Sequence, residues 1–269
     1  MSRIAKKFSE LKSQSRKGLI PYLTGGDPDP ELTVPIAHAL VQAGADIIEI
    51  GVPFSDPMAD GPVNQRASDR ALKFNVSLTD VLNMVHEFRK TDNETPVVLM
   101  GYMNPIEVMG YATFAKAAAK AGVDGVITVD LPPEEAQTLL AEFKHNEIDP
   151  IFLIAPTTDI QRIKFINQNA GGFLYYVSLK GVTGAASLDS RAVSEKLNEI
   201  RSVSDLPVSV GFGIKDANSA AAISKIADAV VVGSALIQKI EASISQPEKI
   251  VAESSGFIAE LRKAIDEAN

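Results

Sequence analysis

The 269-residue chain contains no cysteine. That excludes disulfides, thiolate metal ligands and cysteine nucleophiles together, and it suits a reducing compartment. Long apolar runs are missing too: no uninterrupted stretch reaches the roughly 20 residues that a membrane-spanning helix needs. Histidine is scarce, with only His38, His86 and His145. Each falls in a segment of helical periodicity, and no cluster has metal-ligand spacing, so neither histidine catalysis nor a metal site is expected. No lysine lies inside a strand-like run, which weakens Schiff-base chemistry. The GxGxxG fingerprint of an open dinucleotide-binding sheet is lacking after the first apolar run, where TGGDPDP stands instead. Positive charge is in deficit, 26 Lys and Arg against 34 Asp and Glu for a net charge of −8. This argues against nucleic acid or an anionic membrane as partner. A phosphorylated metabolite stays open, because backbone N–H groups and a helix dipole can hold a phosphate. The basic start, MSRIAKKFSELKSQSRK, lacks the apolar core of a secretory signal and carries Glu10. Ile4, Phe8 and Leu11 share a helical face there, which reads as a structural helix, and the expected location is the cytoplasm.

What the chain does have is alternation. Eight short apolar runs, at 18–24, 46–52, 96–102, 125–130, 150–156, 172–178, 207–213 and 227–234, are separated by segments of helical periodicity. Strands alternating with helices call for a parallel sheet, and eight such units close into a barrel of about 250 residues. AGAD at 43–46 and AGVD at 121–124 each end a helix with glycine and lead into a strand. After Gln246, Phe257, Ile258, Leu261 and Ile265 form one face of a last helix. No linker divides the chain. The expectation is an α/β fold, a single (β/α)₈ TIM barrel over 1–269 with an extra N-terminal helix.

Catalytic groups in such barrels sit at the C-terminal ends of strands and in the loops that follow. Glu49 is a charge inside the run DIIEIGV. The alternation of a strand puts Ile48 and Ile50 towards the outer helices and Glu49 into the barrel, where an unpaired carboxylate tends towards its neutral form. The next loop, PFSDPMADGP, carries Asp56 and Asp60. Asp-Pro and Asp-Gly are ordinary turn chemistry, yet an inward acid beside a loop acid over the same mouth also suits divided acid and base roles. Gly211 and Gly213 follow strand seven, and Gly233 and Ser234 open a helix after strand eight. That pair of loops is the recurrent phosphate site of these barrels. The loop SLKGVTGAASLDS at 178–190, with Thr183 and Gly184 in its middle, is either a lid or a long connection. Tyr22, Met100, Tyr102, Ile127, Val129, Leu153, Tyr175 and Phe212 lie near strand ends and would form a flat apolar pocket for an aromatic substrate.

The run ADIIEIGVPFSDPMADGPVNQRAS, with LIPYLTGGDP before it and GVTGA and GFGI after it, closely resembles the α subunits of tryptophan synthase, in order and over nearly the whole chain. The resemblance implies cleavage of indole-3-glycerol phosphate to indole and glyceraldehyde 3-phosphate, with no cofactor in this chain. It also implies a β subunit carrying pyridoxal phosphate, paired with this chain in an α2β2 heterotetramer. Carried over residue by residue, the two catalytic acids are Glu49 and Asp60. Gly184, Gly213, Gly233 and Ser234 hold the phosphate, and Tyr22, Met100, Ile127, Leu153, Tyr175 and Phe212 surround the indole. Thr183, on the closing loop, hydrogen-bonds Asp60, while Asp56, Pro57 and Asn104 face the partner. Several members carry arginine in the slot of Leu179, beside Lys180, and some carry phenylalanine in that of Tyr22. Two other readings of the same barrel are a class I aldolase using Lys180 or Lys215, and a non-catalytic regulatory barrel.

Overall fold

The computed structural model describes residues 2–177, 190–211 and 213–269. All strand pairings are parallel, and the sheet order is β5-β4-β3-β2-β1-β9-β8-β7-β6. The strands are β1 (Gly18–Thr24), β2 (Ile48–Gly51), β3 (Val97–Gly101), β4 (Gly125–Thr128), β5 (Asp149–Ile151), β6 (Leu153–Ile154), β7 (Leu174–Val177), β8 (Val208–Gly211) and β9 (Ala229–Val232). The two ends of that order, β5 and β6, are halves of one strand interrupted at Phe152, so the sheet closes on itself. The eight expected strands are therefore present, the fifth in two pieces. Each half pairs with one neighbour only, β5 with β4 and β6 with β7, and the break falls where the chain changes partners. The expected strand ends ran past the observed ones, although the ladder does continue a step further: Val52 N donates to Met100 O at 2.8 Å and Val129 N to Gly101 O at 2.9 Å.

Twelve α-helices alternate with these strands among the described residues. α1 (Arg3–Ser13) is the expected N-terminal helix, capped by the Ser2 hydroxyl accepting from Ala5 N at 3.2 Å. Its Ile4, Phe8 and Leu11 pack with Ile20, Ile47, Val98, Phe173 and Ala229, so α1 plugs the N-terminal end of the barrel. α12 (Pro247–Ala268) buries Phe257, Ile258, Leu261 and Ile265 as its period implies. No described helix is long and apolar enough to cross a membrane.

The strand registers order the interior. Tyr22 pairs with Glu49, Glu49 with Val98 and Val98 with Gly125. Met100 pairs with Ile127 and Ile127 with Ile151; Leu153 pairs with Tyr175, Tyr175 with Ser209 and Ser209 with Ala229. Because the strands tilt, each step to a neighbour descends the barrel, and alternate strands fill alternate layers. The top layer is Tyr22, Met100, Leu153 and Gly211; beneath it come Glu49, Ile127, Tyr175 and Val231; then Ile20, Val98, Ile151 and Ser209. Glu49 thus sits one layer below the mouth, with apolar packing under it.

Candidate functional site

Glu49 is on β2 because its neighbours Ile48 and Ile50 belong to the outer hydrophobic layer, which turns the residue between them inward. It is only 1% exposed, and neither carboxylate oxygen has a hydrogen-bond partner. Burial, and secondarily the negative charge of Asp60, pushes its pKa from the ordinary 4.5 up to about 8. A carboxylic acid that stays protonated near neutrality and has nothing to hold its proton is set up to give it away.

Asp60 lies on the loop between β2 and α3 (Pro62–Leu72). Asp60 N donates to Pro57 O at 3.0 Å, a turn that brings the side chain back towards the barrel mouth. The Tyr102 hydroxyl donates to Asp60 Oδ2 at 2.8 Å, and Asn64 Nδ2 reaches Oδ1 at 3.4 Å. Burial raises the pKa of Asp60, and these two donors oppose the rise. Tyr102 is itself fixed: its ring stacks on Phe54 at 5.4 Å, and its hydroxyl accepts from Ala59 N at 3.0 Å. Sequence reasoning placed Tyr102 among the pocket walls and missed its grip on Asp60. No spacing rule signals a contact across 42 residues.

Tyr22, Met100, Ile127, Leu153 and Tyr175 lie in the top two layers, with Tyr22 and Ile127 buried and Met100, Leu153 and Tyr175 half-buried. Two glycines make room for two tyrosines. A Cβ on Gly51 would lie 2.1 Å from the Tyr22 hydroxyl, and one on Gly211 would lie 2.3 Å from that of Tyr175. Gly211, read from sequence as a place for an anion to approach, is buried, with the Tyr175 hydroxyl packed against its bare Cα. The Tyr22 hydroxyl also hydrogen-bonds Thr24 Oγ1 at 3.2 Å. Burial raises the pKa of both tyrosines, and the Glu49 carboxylate reinforces the rise in each. Both therefore stay neutral beside the acids.

At the other side of the mouth, Gly213 is exposed with φ +80°, a conformation that favours glycine. Gly233 caps α11 (Ser234–Ala242) without any side-chain bond to its first turn. The exposed Ser234 begins the helix, and with no side chain capping its first turn the opening N–H groups and the helix dipole favour an anion there. Thr183, Gly184 and Phe212 lie outside the described residues, as do Leu179 and Lys180. Asp56 and Asn104 are exposed and Pro57 is half-buried. Lys215 is exposed, away from the buried acids. His38, His86 and His145 are all on helices; His38 stacks on Phe88 at 4.5 Å, a packing role. Among the described residues no group of three or more acids, histidines or cysteines has the arrangement of a metal site. A groove of about 1000 Å³ opens at the opposite, N-terminal end of the strands, lined in part by Ser2, Arg3, Asp124 and Asp149. Those four polar side chains already pair with one another, Ser2 with Asp149 at 2.6 Å and Arg3 with Asp124 at 2.9 Å.

Residues 8–266 match the family model described as tryptophan synthase alpha chain. The tryptophan synthase alpha chain of Thioalkalivibrio sulfidiphilus is 61% identical over 266 residues, covering 99% of this chain and 100% of that protein. That of Nitrosococcus oceani is 58% identical, covering 99% and 98%. Among solved structures, tryptophan synthase subunit alpha from Legionella pneumophila superposes with a TM-score of 0.94 at 48% identity, covering 99% of both chains. A chain of M. tuberculosis tryptophan synthase in its aminoacrylate-bound form superposes with a TM-score of 0.87 at 35% identity, covering 98% of this chain and 100% of that one.

Proposed function

The chain belongs to the tryptophan synthase alpha chain family, and from that premise we propose which residues carry its reaction and how they share it. The reaction is the lyase cleavage of indole-3-glycerol phosphate in tryptophan biosynthesis. Membership in this family sets aside both the Schiff-base aldolase and the non-catalytic barrel.

Glu49 is the general acid and base. Its proton passes to C3 of the indole ring, leaving a cationic indolenine. The resulting carboxylate then takes the proton of the hydroxyl on the adjoining side-chain carbon. The bond from C3 to that carbon breaks, its electron pair restores the aromatic ring, and the hydroxyl carbon becomes the aldehyde of glyceraldehyde 3-phosphate. Glu49 ends protonated as it began. Asp60 stays ionised next to the ring nitrogen and stabilises the positive charge of the intermediate. The environments divide the two roles: Glu49 has no donor to stabilise its anion, while Asp60 has two. The observation that carries this reading is the buried, partnerless carboxyl of Glu49 one layer beneath an apolar mouth.

Gly213, Gly233 and Ser234, with Gly184 from the loop outside the described residues, form the phosphate end. Tyr22, Met100, Ile127, Leu153, Tyr175 and Phe212 sandwich the indole, and Thr183 belongs to the loop that closes over it. The chemistry runs without a cofactor in this chain. Pyridoxal phosphate belongs to the β subunit, to which indole passes within an α2β2 heterotetramer, with Asp56, Pro57 and Asn104 towards that partner. Residues 1–269 act as one domain, and the assembly works in the cytoplasm.

Glu49→Gln tests the central assignment. Indole release should fall by at least about 100-fold, the scale of a lost acid–base group, while glycerol 3-phosphate binds as before. Near-normal turnover in this variant removes Glu49 from the reaction.

A further inference from the structure

α3 and α11 pack side by side, and a charged clamp joins them. Arg66 donates through two nitrogens to Glu241, both bonds at 2.7 Å. Arg70, one turn on along α3, donates to the same carboxylate at 2.8 Å. Arg70 also grips Asp27, on the loop after β1, with bonds of 2.6 and 2.9 Å. Asp27 is fully buried and Glu241 half-buried. Each helix carries one end of the site on its first turn. Asn64 and Gln65 of α3 hold Asp60, through its carboxylate at 3.4 Å and its carbonyl at 2.8 Å. Ser234 opens α11, and Glu241 stands two turns along it.

We propose that the Arg66–Glu241–Arg70 clamp positions the ring-binding end of the site at a set distance from the phosphate-binding end. The inference rests on the placement of Asp60 and Ser234 argued above. A helix is a stiff rod, so holding Arg66 and Arg70 of α3 against the last turn of α11 fixes the spacing of the two N-termini. The substrate joins an indole ring to a phosphate through a short chain of its own fixed reach. A matched site lets the second end bind as an intramolecular event, and a loose one forfeits that advantage although each half still fits. Arg66, Arg70 and Glu241 are positioning residues on this account and touch no substrate. The hydrogen bonds of Asp27 to Arg70 extend the same frame to the loop that follows Tyr22 and Thr24.

The test compares wild type, Glu241→Gln and Arg66→Gln as full chains, with three calorimetric probes: indole, glycerol 3-phosphate, and an unreactive ligand joining indole to phosphate by three carbons. Both variants should bind the two fragments within about twofold of wild type and the joined ligand at least about tenfold more weakly, with kcat/KM falling alongside. A purely structural role would weaken fragments and joined ligand together or leave all three alone, and either result overturns the clamp. Arg66 is half exposed, so Arg66→Gln keeps the test intact if Glu241→Gln fails to fold. Gly213→Val separates the two levels of inference. Unchanged glycerol 3-phosphate affinity in that variant overturns the phosphate assignment itself, whereas unchanged joined-ligand affinity in the clamp variants overturns only the positioning role.

Discussion

Glu49 and Asp60 differ less in chemistry than in surroundings. One has no hydrogen-bond partner and the other has Tyr102 and Asn64. A pKa raised from 4.5 to about 8 also makes Glu49 a charge on stability. Well below pH 4.5, Glu49 is protonated in both the folded and the unfolded chain; at pH 4.5 the unfolded chain has released about half of this proton. As pH rises towards 8, the unfolded chain releases this proton and the folded chain keeps it, so stability falls across that window. The slope is on the order of 1.4 kcal/mol per pH unit at most. Glu49→Gln escapes this loss. Urea unfolding should find the variant similar to wild type near pH 4.5 and more stable by pH 8; a gap that does not grow with pH contradicts the assignment. Tyr102→Phe offers a second check. Losing the donor to Asp60 should raise the pKa of Asp60 further, so the acidic limb of the kcat/KM profile should move to higher pH. Turnover should drop about 10-fold, less than the roughly 100-fold expected of Asp60→Asn. An unmoved acidic limb would detach Tyr102 from Asp60.

At the scale of elements, one device recurs at the N-terminal ends of the strands. Gly122 has φ +91°, and a Cβ there would meet Arg89 Cγ at 2.7 Å. The bare glycine lets the Arg89 stem cross the helix end and reach Asp124 Oδ2 at 2.6 Å, while the same oxygen accepts from Val97 N at 2.8 Å. Gly44, Arg262 and Asp46 repeat the arrangement: a Cβ on Gly44 would meet Arg262 Cγ at 2.5 Å, and Asp46 Oδ2 accepts from Leu19 N at 2.9 Å. Each aspartate pins the start of the neighbouring strand. Asp124→Ala leaves the buried Arg89 guanidinium without its counter-charge and the Val97 N–H without its acceptor, so it should cost about 3 kcal/mol or more in urea unfolding, with KM unchanged because the site is at the other end. A loss below about 1 kcal/mol would show the pair to be dispensable. The AGAD and AGVD segments were legible as helix ends leading into strands. That their aspartates clamp the next strand was not, since the arginines come from helices far along the chain.

At the scale of the whole molecule, the loop that carries Asp60 and the helix that follows β3 each present one strongly exposed apolar side chain. Met58, on the loop that carries Asp60, is 83% exposed, and Val108, on α5 (Met103–Met109), is 81% exposed. Asp56 and Asn104 flank them in sequence. Indole is apolar and would be lost to water between two active sites, so a partner seated over these side chains is the arrangement its chemistry favours. Val108→Asp should weaken binding of the β subunit by about tenfold or more in a sedimentation titration, as for a buried apolar contact replaced by a charge. Indole-3-glycerol phosphate cleavage by the isolated chain should be unaffected. Full-strength association would place the partner elsewhere.

The sequence alone determined the barrel, the plugging helix α1, the final helix and the inward aim of Glu49. These follow from periodicity, and periodicity is local: a strand of alternating side chains has one inside, and Ile48 and Ile50 leave Glu49 no other. Asp60 was visible only as an acid in a loop, because a turn residue and a catalytic one are spelled alike. Tertiary structure decided what surrounds each acid, which sets their pKa values: Tyr102 from the third strand's end, and empty space at Gly51 and Gly211 filled by Tyr22 and Tyr175. It also decided the break at Phe152 and the clamp between α3 and α11. Such contacts join residues between 29 and 175 positions apart. They depend on how strands are staggered around the barrel and which helix turns meet outside it, and no window of sequence contains either.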